Sequence, residues 1–398
     1  MINGLEIYKK KWNIETDRSI KPGLQAITAA LAELNNPHQK GYFIHIAGTN
    51  GKGSTGAFLA AILRKHGLTV GNFYSPNIED LHDQIQVDGK PVTEEEMDSA
   101  MARLSKLETP LTDFELLTAA AFLIFEQKKP DITIMEAGMG GRFDSTNVID
   151  PELAIITSIS YEHTNFLGHT LENIAWHKAG IIKKWKPIII GQLPEAARNI
   201  IENEAKMLHA ELILPEKQID IELKLKGRHQ KENAKLALEA AKEILLLKFN
   251  HDMAENALAG ATIPFRFEEI YPNLVMDGAH NEASIKALVE TIKEQYPGRP
   301  IHIVMGILKD KEYTKILRHL ETVSDHFTFV DFENERALPA KTLFSENRSK
   351  IKTIVKYYDI LPVPNKKEVT LVTGSLYLLS NLRNNHFEMF ENYRIQKK

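Results

Sequence analysis

The run Tyr42-Phe43-Ile44-His45-Ile46-Ala47-Gly48-Thr49-Asn50-Gly51-Lys52-Gly53-Ser54 carries the reading of the fold. Tyr42 to Ala47 is short, apolar and rich in β-formers, which predicts a buried strand. Thr55 to His66 follows with helical spacing and Gly67 as its C-cap. Between them three glycines let the backbone curl so that N–H groups converge on an anion, with a helix N-terminus behind and Lys52 as a point charge for a polyphosphate. Two positions depart from the ordinary Walker pattern: Gly53 stands where Ser or Thr follows the lysine, and Ile46 occupies the first glycine position. The alternative is a glycine-rich turn with an incidental lysine. The order of strand, loop, lysine, hydroxyl and helix favours a phosphate loop.

Outward from this loop the pattern repeats. Thr69 to Tyr74, Ile132 to Met135, Ala154 to Thr157 and Pro187 to Ile190 read as further strands, with amphipathic helices between them and a helical stretch from Glu232 to Lys248 closing the region. Ile263-Pro264-Phe265-Arg266 interrupts any helix, and a second series begins: Leu274 to Met276, Ile301 to Met305, Phe327 to Val330 and Val369 to Val372, with helices such as Ser284 to Gln295. Alternating strands and helices predict an α/β protein with doubly wound parallel sheets. The expected architecture is a P-loop-type, mostly parallel-sheet ATPase domain over residues 1–263, followed by a smaller Rossmann-like α/β domain over 264–398. A length of 398 residues agrees with two domains.

Composition narrows the partners. A net charge of −4, from 49 basic and 53 acidic residues, gives no general attraction to nucleic acid or an anionic membrane, so a small-molecule partner is expected. The absence of cysteine excludes disulfides, Cys-ligated zinc, iron–sulfur clusters and thiol catalysis, and fits a reducing cytoplasm. The start, MINGLEIYKKKW, lacks the apolar core of a signal peptide, and the longest apolar stretch, Leu116 to Phe125, is about half a membrane span. A soluble, cytoplasmic protein is expected. The pairs Lys366-Lys367 and Lys397-Lys398 read as solvated charge.

In a parallel sheet ligands gather at the carboxyl ends of the strands. Ser75, Glu136 and His163 follow three of them, and a nucleotide-bound magnesium uses a few oxygen donors with a carboxylate among them. Lys178 lies in an expected helix from Leu171 to Lys184 and on its own reads as one more exposed lysine beside Lys183 and Lys184. Asp277-Gly278-Ala279-His280-Asn281 ends the first strand of the second series and reads equally as a tight polar turn or a ligand-facing loop.

At Gly48 to Ser54, taken with Asp277 to Asn281, the sequence resembles the folylpolyglutamate synthases, often also dihydrofolate synthases, of the Mur ligase superfamily. The resemblance covers nearly the whole chain. It continues through Lys21-Pro22-Gly23-Leu24, Glu136 to Asn147 (EAGMGGRFDSTN), His177-Lys178-Ala179-Gly180-Ile181-Ile182, Gly306 to Lys311 (GILKDK) and Thr373-Gly374-Ser375-Leu376-Tyr377. It implies that Gly48, Thr49, Asn50, Gly51, Lys52, Gly53 and Ser54 bind ATP phosphates, with Asn233, Arg266 and Asp277 on the nucleotide. Ser75 and Glu136 would hold one magnesium and His163 a second, with Lys178 as a carbamylated lysine ligand. His280 and Ser375 are implied for the incoming glutamate. Thr112, Phe114, Glu115, Phe143, Asp144 and Ser145 match segments lining the pterin site. Lys52, Lys178 and His280 are the implied catalytic residues, in a monomeric enzyme acting on folate, L-glutamate and ATP.

The implied reaction is phosphoryl transfer to the folate γ-carboxylate, then attack by the glutamate amine. Three departures bear on the acceptor: His82-Asp83-Gln84-Ile85 replaces an Asn-Glu-Arg-Ile run, Ala26 replaces an arginine, and Glu162 replaces an aspartate before the metal histidine. They lead us to expect extension of reduced folates, with dihydropteroate a poor acceptor. The competing readings are a bifunctional enzyme, a peptidoglycan-type Mur ligase and a nucleotide-binding relative without catalysis. The short stretch before Gly48 favours the folate reading over the second.

Overall fold

The computed structural model describes residues 4–17, 22–77, 80–216, 218–356 and 367–385. Lys21, Lys366, Lys397 and Lys398 lie outside them. The chain divides into two compact units, Met1–Leu223 with Gln230–Ala261, and Lys224–His229 with Thr262–Lys398.

The first unit is built on an eight-stranded sheet. Its strands are β1 (Phe43–Ala47), β2 (Val70–Phe73), β3 (Ile85–Val87), β4 (Lys90–Pro91), β5 (Ile132–Glu136), β6 (Leu153–Ile156), β7 (Ile188–Ile190) and β8 (Leu212–Ile213). Their spatial order is β8-β7-β6-β1-β5-β2-β3-β4. All neighbours are parallel except β2-β3-β4, an antiparallel edge. Every side chain of β1, β5, β6 and β7 is buried, as a parallel sheet covered on both faces requires. Phe43, Phe73 and Met135 pack with Leu117 and Phe122 in one cluster, and Ala47, Ile156 and Ile188 with Ile174 and Ile201 in another.

Helix α1 (Lys52–Lys65) begins three residues before the expected Thr55, so Lys52 and Ser54 lie in its first turn. Helix α2 (Asp113–Lys128) buries all of Leu116 to Phe125, which makes that apolar stretch a core helix. Among the described residues no helix is long and apolar enough to cross a membrane. Helix α3 (Leu171–Ala179) stops five residues short of the expected Lys184, because Gly180 and the following turn pack against Arg142. Helix α4 (Arg228–Leu245) starts before the expected Glu232 and continues as a 3-10 turn over Leu246–Lys248.

The second unit has six strands: β9 (Glu268–Tyr271), β10 (Leu274–Asp277), β11 (Ile301–Met305), β12 (His326–Asp331), β13 (Ile351–Lys356) and β14 (Val369–Thr373), in the order β9-β10-β14-β11-β12-β13. Only β9 runs antiparallel to its neighbour. Helix α5 (Glu282–Gln295) returns Ile285, Leu288 and Ile292 to a core shared with Ile303, Phe327 and Leu371.

Each expected strand is present with ends displaced by at most one residue. The strands without a sequence signal are short or lie at edges. Strands β3 and β4 pair in a polar hairpin, and β13 has no buried residue. Edge strands need no continuous apolar run, so apolar patterning passes over them.

Candidate active site

The order β6-β1-β5-β2 sets the segments after four strands side by side along the carboxyl edge of the first sheet. Gly51 is the N-cap of α1 with φ +89°, and a Cβ there would come within 2.3 Å of the Asn233 Oδ1. Glycine is therefore demanded twice, by conformation and by the approach of α4. Asn233 is itself fixed, donating Nδ2 to Gln230 Oε1 at 3.1 Å. The segment after β6 fastens the loop. Thr49 N donates to Ser158 O at 2.8 Å and Asn50 N to Ser158 Oγ at 2.9 Å, while Thr157 Oγ1 donates to Asn50 O at 2.7 Å.

Lys52 folds back over its own loop, with Nζ 3.0 Å from Gly48 O and 3.8 Å from Glu136 Oε1. Glu136 is the last residue of β5 and is buried, so its carboxylate sits at low solvent access beside the lysine. A cation, a buried carboxylate and the N-terminus of α1 thus meet at one loop, the setting a polyphosphate uses. Ser54 and Thr55 are buried in the first turn of α1, and Thr55 Oγ1 has no hydrogen-bond partner among the described residues.

Lys178 departs from its reading as an exposed lysine. It is 3% exposed, near the end of α3, and its pKa is pushed down to about 7 by burial and then by the charge of Lys52, against the pull of Glu162 and Asp144. The Gly138 to Gly141 loop lies directly on α3: a Cβ on Gly141 would come within 3.1 Å of the Lys178 carbonyl oxygen. Arg142 N bonds His177 O at 2.6 Å, which pins the same junction.

The residues matched to a pterin site divide by what they do. Thr112 and Glu115 form a reciprocal capping box at the start of α2, with Thr112 N donating to Glu115 Oε2 at 2.8 Å and Glu115 N to Thr112 Oγ1 at 3.3 Å. Asp144 is buried and accepts from Met139 N at 2.8 Å and Thr146 Oγ1 at 2.6 Å; burial raises its pKa against these bonds. Thr146 Oγ1 also meets His45 Nε2 at 2.8 Å. Burial holds the His45 pKa down at about 3, so the ring is neutral at physiological pH. Ser145 Oγ meets Thr118 Oγ1 at 2.7 Å. Phe114 packs under Gly138, whereas Phe143 is 42% exposed beside Trp176 and His177. Phe143 is the more exposed of the two rings in the set. Among the departures, Gln84 is buried and its carbonyl accepts from Tyr74 N at 3.0 Å.

Ser75 follows β2 at a cis Ser75-Pro76 peptide. His163 caps the short helix Thr164–Leu167 at φ +49°, with Nε2 3.8 Å from Glu162 Oε1. Glu136, Glu162 and His163 are not drawn into a single three-ligand cluster.

In the second unit Asp277 ends β10, accepting from Ala279 N and Phe267 N at 2.8 Å each. Burial raises its pKa, against the neighbouring Arg266. Arg266 bonds its own segment through Phe265 O at 3.2 Å. His280 Nδ1 pairs with Gly278 O at 2.8 Å, and Asn281 caps α5. Strands β10 and β14 are neighbours, and Gly374 N donates to Ala279 O at 3.1 Å, so the loops bearing His280 and Ser375 are stitched together. Ser375 Oγ is buried without a partner among the described residues.

Sequence reasoning missed the clamp Thr157-Ser158, the buried His45 and the partly buried His229. A run of small hydroxyl residues after a strand was a usable signal for the first. His229 precedes the main stretch of the second unit in sequence yet belongs to it, and burial lowers its pKa against the pull of Asp277.

A phosphate loop on a parallel sheet followed by a second α/β unit is the plan of the Mur ligases. Residues 46–206 match the Mur ligase middle domain and residues 266–375 the glutamate ligase domain of Mur ligases. The chain is thus an ATP-dependent ligase of that class. It belongs to the dihydrofolate synthase/folylpolyglutamate synthase family. It is 36% identical to the Bacillus subtilis dihydrofolate synthase/folylpolyglutamate synthase, over 92% of this chain and 95% of the relative. It is 32% identical to the Lacticaseibacillus casei folylpolyglutamate synthase, over 90% and 92%. The Escherichia coli FolC structure in complex with DHPP and ADP superposes with a TM-score of 0.87 at 26% identity, covering 98% of each chain. The Mycobacterium tuberculosis folylpolyglutamate synthase complexed with ADP and AMPPCP gives 0.84 at 27% identity, covering 93% of this chain and 95% of that one.

Proposed function

We propose that this enzyme uses ATP to join L-glutamate to the γ-carboxylate of a reduced folate, giving folylpolyglutamates. The observation that carries the reading is Lys52, held over the glycine loop between Gly48 O and Glu136 in a chain of this family. A carboxylate resists an amine because it is anionic and its oxygen leaves poorly. Phosphorylation by ATP yields an acyl phosphate and ADP, and the glutamate amine then expels phosphate. Catalysis of the first step is positioning and charge neutralisation. The loop N–H groups and Lys52 orient the phosphates and oppose the charge on the transferring group. Residues 1–263 would form the ATP-binding domain and 264–398 the glutamate-ligase domain, with Asn233, Arg266 and Asp277 serving the nucleotide and His280 and Ser375 the glutamate.

Two magnesium ions fit the donors present, with Ser75, Glu136, His163 and a carbamylated Lys178 as the residues that would hold them. A buried carboxylate at the phosphate loop is a hard oxygen donor, and such ions take few protein ligands when a nucleotide supplies others. Bound there, magnesium would neutralise phosphoryl oxygens. The buried Lys178, with its lowered pKa, has the neutral amine that addition of carbon dioxide requires. Phe143 is the pterin-facing ring in this reading, and Phe114, Asp144, Ser145, Thr112 and Glu115 shape the loops around it. In this reading the enzyme works on small molecules in the cytoplasm as a monomer, with the net charge of −4 and the lack of cysteine as support for the first two.

Purified enzyme with ATP, magnesium, a reduced folate and glutamate should release ADP only when both acceptor and amino acid are present, with a product heavier by one glutamyl residue. ADP release indifferent to either substrate would overturn the proposal. A second acceptor has specific support, because the Bacillus subtilis relative is named for both activities. The altered Gln84 and Ala26 lead us to place dihydropteroate as the poorer acceptor, and a side-by-side assay of both decides it.

A further inference from the structure

The second unit carries a set of donors far along its sheet from the residues discussed so far. His302 on β11 and His326 on β12 are register partners, so they share a face of the sheet. His302 is also the register partner of Thr370 on β14; Glu368, two residues before Thr370, belongs to that face by the alternation of the strand. One ligand atom from each of His302, His326 and Glu368 lies within 4.8 Å of the other two, the only such triplet among the described residues. All three are partly buried, with His326 and Glu368 side chains 27% and 21% exposed, so an ion has access from solvent.

We propose that His302, His326 and Glu368 form a binding site for a borderline divalent transition metal of the zinc class. Two imidazoles and one carboxylate are donors suited to such ions and poorly suited to magnesium, which prefers an oxygen shell. His326 Nδ1 and Glu368 Oε2 are 3.2 Å apart, close to the edge of about 3.3 Å expected for tetrahedral ligands at ordinary zinc distances. Thr328 Oγ1 engages His302 Nε2 at 2.8 Å and is in turn 3.0 Å from Thr353 Oγ1, which orients the ring from behind and directs Nδ1 toward the ion. The imidazoles stack with centroids 3.8 Å apart and 7° between planes. Ligation lies in the plane of a ring, so binding must swing one of them out of the stack.

The place in the fold points to a role other than the ligation reaction. His302, His326 and Glu368 sit at the amino ends of their strands, whereas Asp277 and Thr373 to Ser375 mark the carboxyl ends. At a rise of about 3.3 Å per residue, the four residues from His302 to Gly306 put roughly 13 Å between the two edges. An ion here would tie β11, β12 and the start of β14 together and stabilise the sheet by binding the folded chain alone.

The test is a Zn²⁺ titration of the full, untagged, chelator-stripped chain with millimolar magnesium and ADP present, followed by calorimetry and by histidine ring NMR signals. Wild type should take up one zinc ion that magnesium does not displace, with shifted His302 and His326 signals and a raised unfolding temperature. The H302N and H326N variants should lose at least about tenfold in affinity. E368Q, at the strand margin, serves where a histidine variant folds poorly and should show the same loss with unchanged kcat for ligation. Equal zinc affinity and stoichiometry in wild type and E368Q or the histidine variants would overturn the site, as would displacement of the zinc by magnesium.

Discussion

The two units build the carboxyl edges of their parallel sheets by different means. In the first, the Gly48 to Ser54 loop offers mainly backbone N–H groups, kept in place by Ser158 and Thr157, and adds one movable charge, Lys52. In the second, a buried carboxylate organises the loop. Asp277 spends both oxygens on Ala279 and Phe267, and the Thr373 to Ser375 turn is tied to Ala279. A backbone cradle recognises any phosphate and depends on a few positions absolutely. In the proposed function the second unit's loops serve the amino acid through side chains, and substitutions there should lose function in smaller steps.

The largest effect should come from the movable charge. Lys52→Ala should lower kcat for glutamate ligation by about a hundred- to a thousand-fold or more, measured as ADP release, because Lys52 is the cation that the loop itself sets beside Glu136. Turnover within a few-fold of wild type would remove the phosphate loop from the chemistry and break the contrast between the units.

Next is Lys178. Lys178→Ala should abolish most activity, and a short carboxylic acid in the buffer should restore part of it by replacing the missing carboxylate. The pKa of Lys178 is held at about 7 by burial, so the amine gains a proton as pH falls through that value and the carbamate is lost. Activity should accordingly fall on the acid side of about pH 7, and more steeply in buffer stripped of carbon dioxide. Indifference to both would leave Lys178 a buried lysine without this role.

Glu136→Gln should keep the fold but raise the magnesium concentration needed for half-maximal activity about tenfold or more; an unchanged magnesium curve removes Glu136 from the metal. In the second unit Ser375→Ala should raise KM for glutamate a few-fold with little change in KM for ATP. An effect as large as that of Lys52→Ala would show that loss of function in the second unit is not graded. The smallest change is away from both sites. Thr112→Val breaks the capping box on α2 and should cost about 1 kcal/mol in denaturant unfolding, with kcat nearly unchanged. A collapse of folate affinity in that variant would instead place Thr112 against the ligand.

Much of this was legible in the order of residues. The buried strands are continuous apolar runs that no other element competes for, so β1, β5, β6, β11 and β14 lie within a residue of their expected ends. The phosphate loop is equally local, since Gly51, Lys52 and α1 are contiguous and the geometry follows from short-range backbone preferences. The hairpin β3-β4 and the edge strand β13 were not legible, because their pairing is decided by neighbours and not by their own apolar content.

Tertiary structure alone decided the fate of individual charges. Lys178, Lys183 and Lys184 are equivalent in sequence, three lysines near one helix end. The fold buries Lys178 most deeply and lowers its pKa to about 7, lowers that of Lys183 as well by burial, and sets Lys52, from far earlier in the chain, near the first. His45 is one polar residue in an apolar strand until the fold puts Thr146 beside it. Local order determines secondary structure because turns and strands are fixed by near neighbours. A side chain's protonation depends on how much water is removed from around it, and that is set by segments distant in sequence.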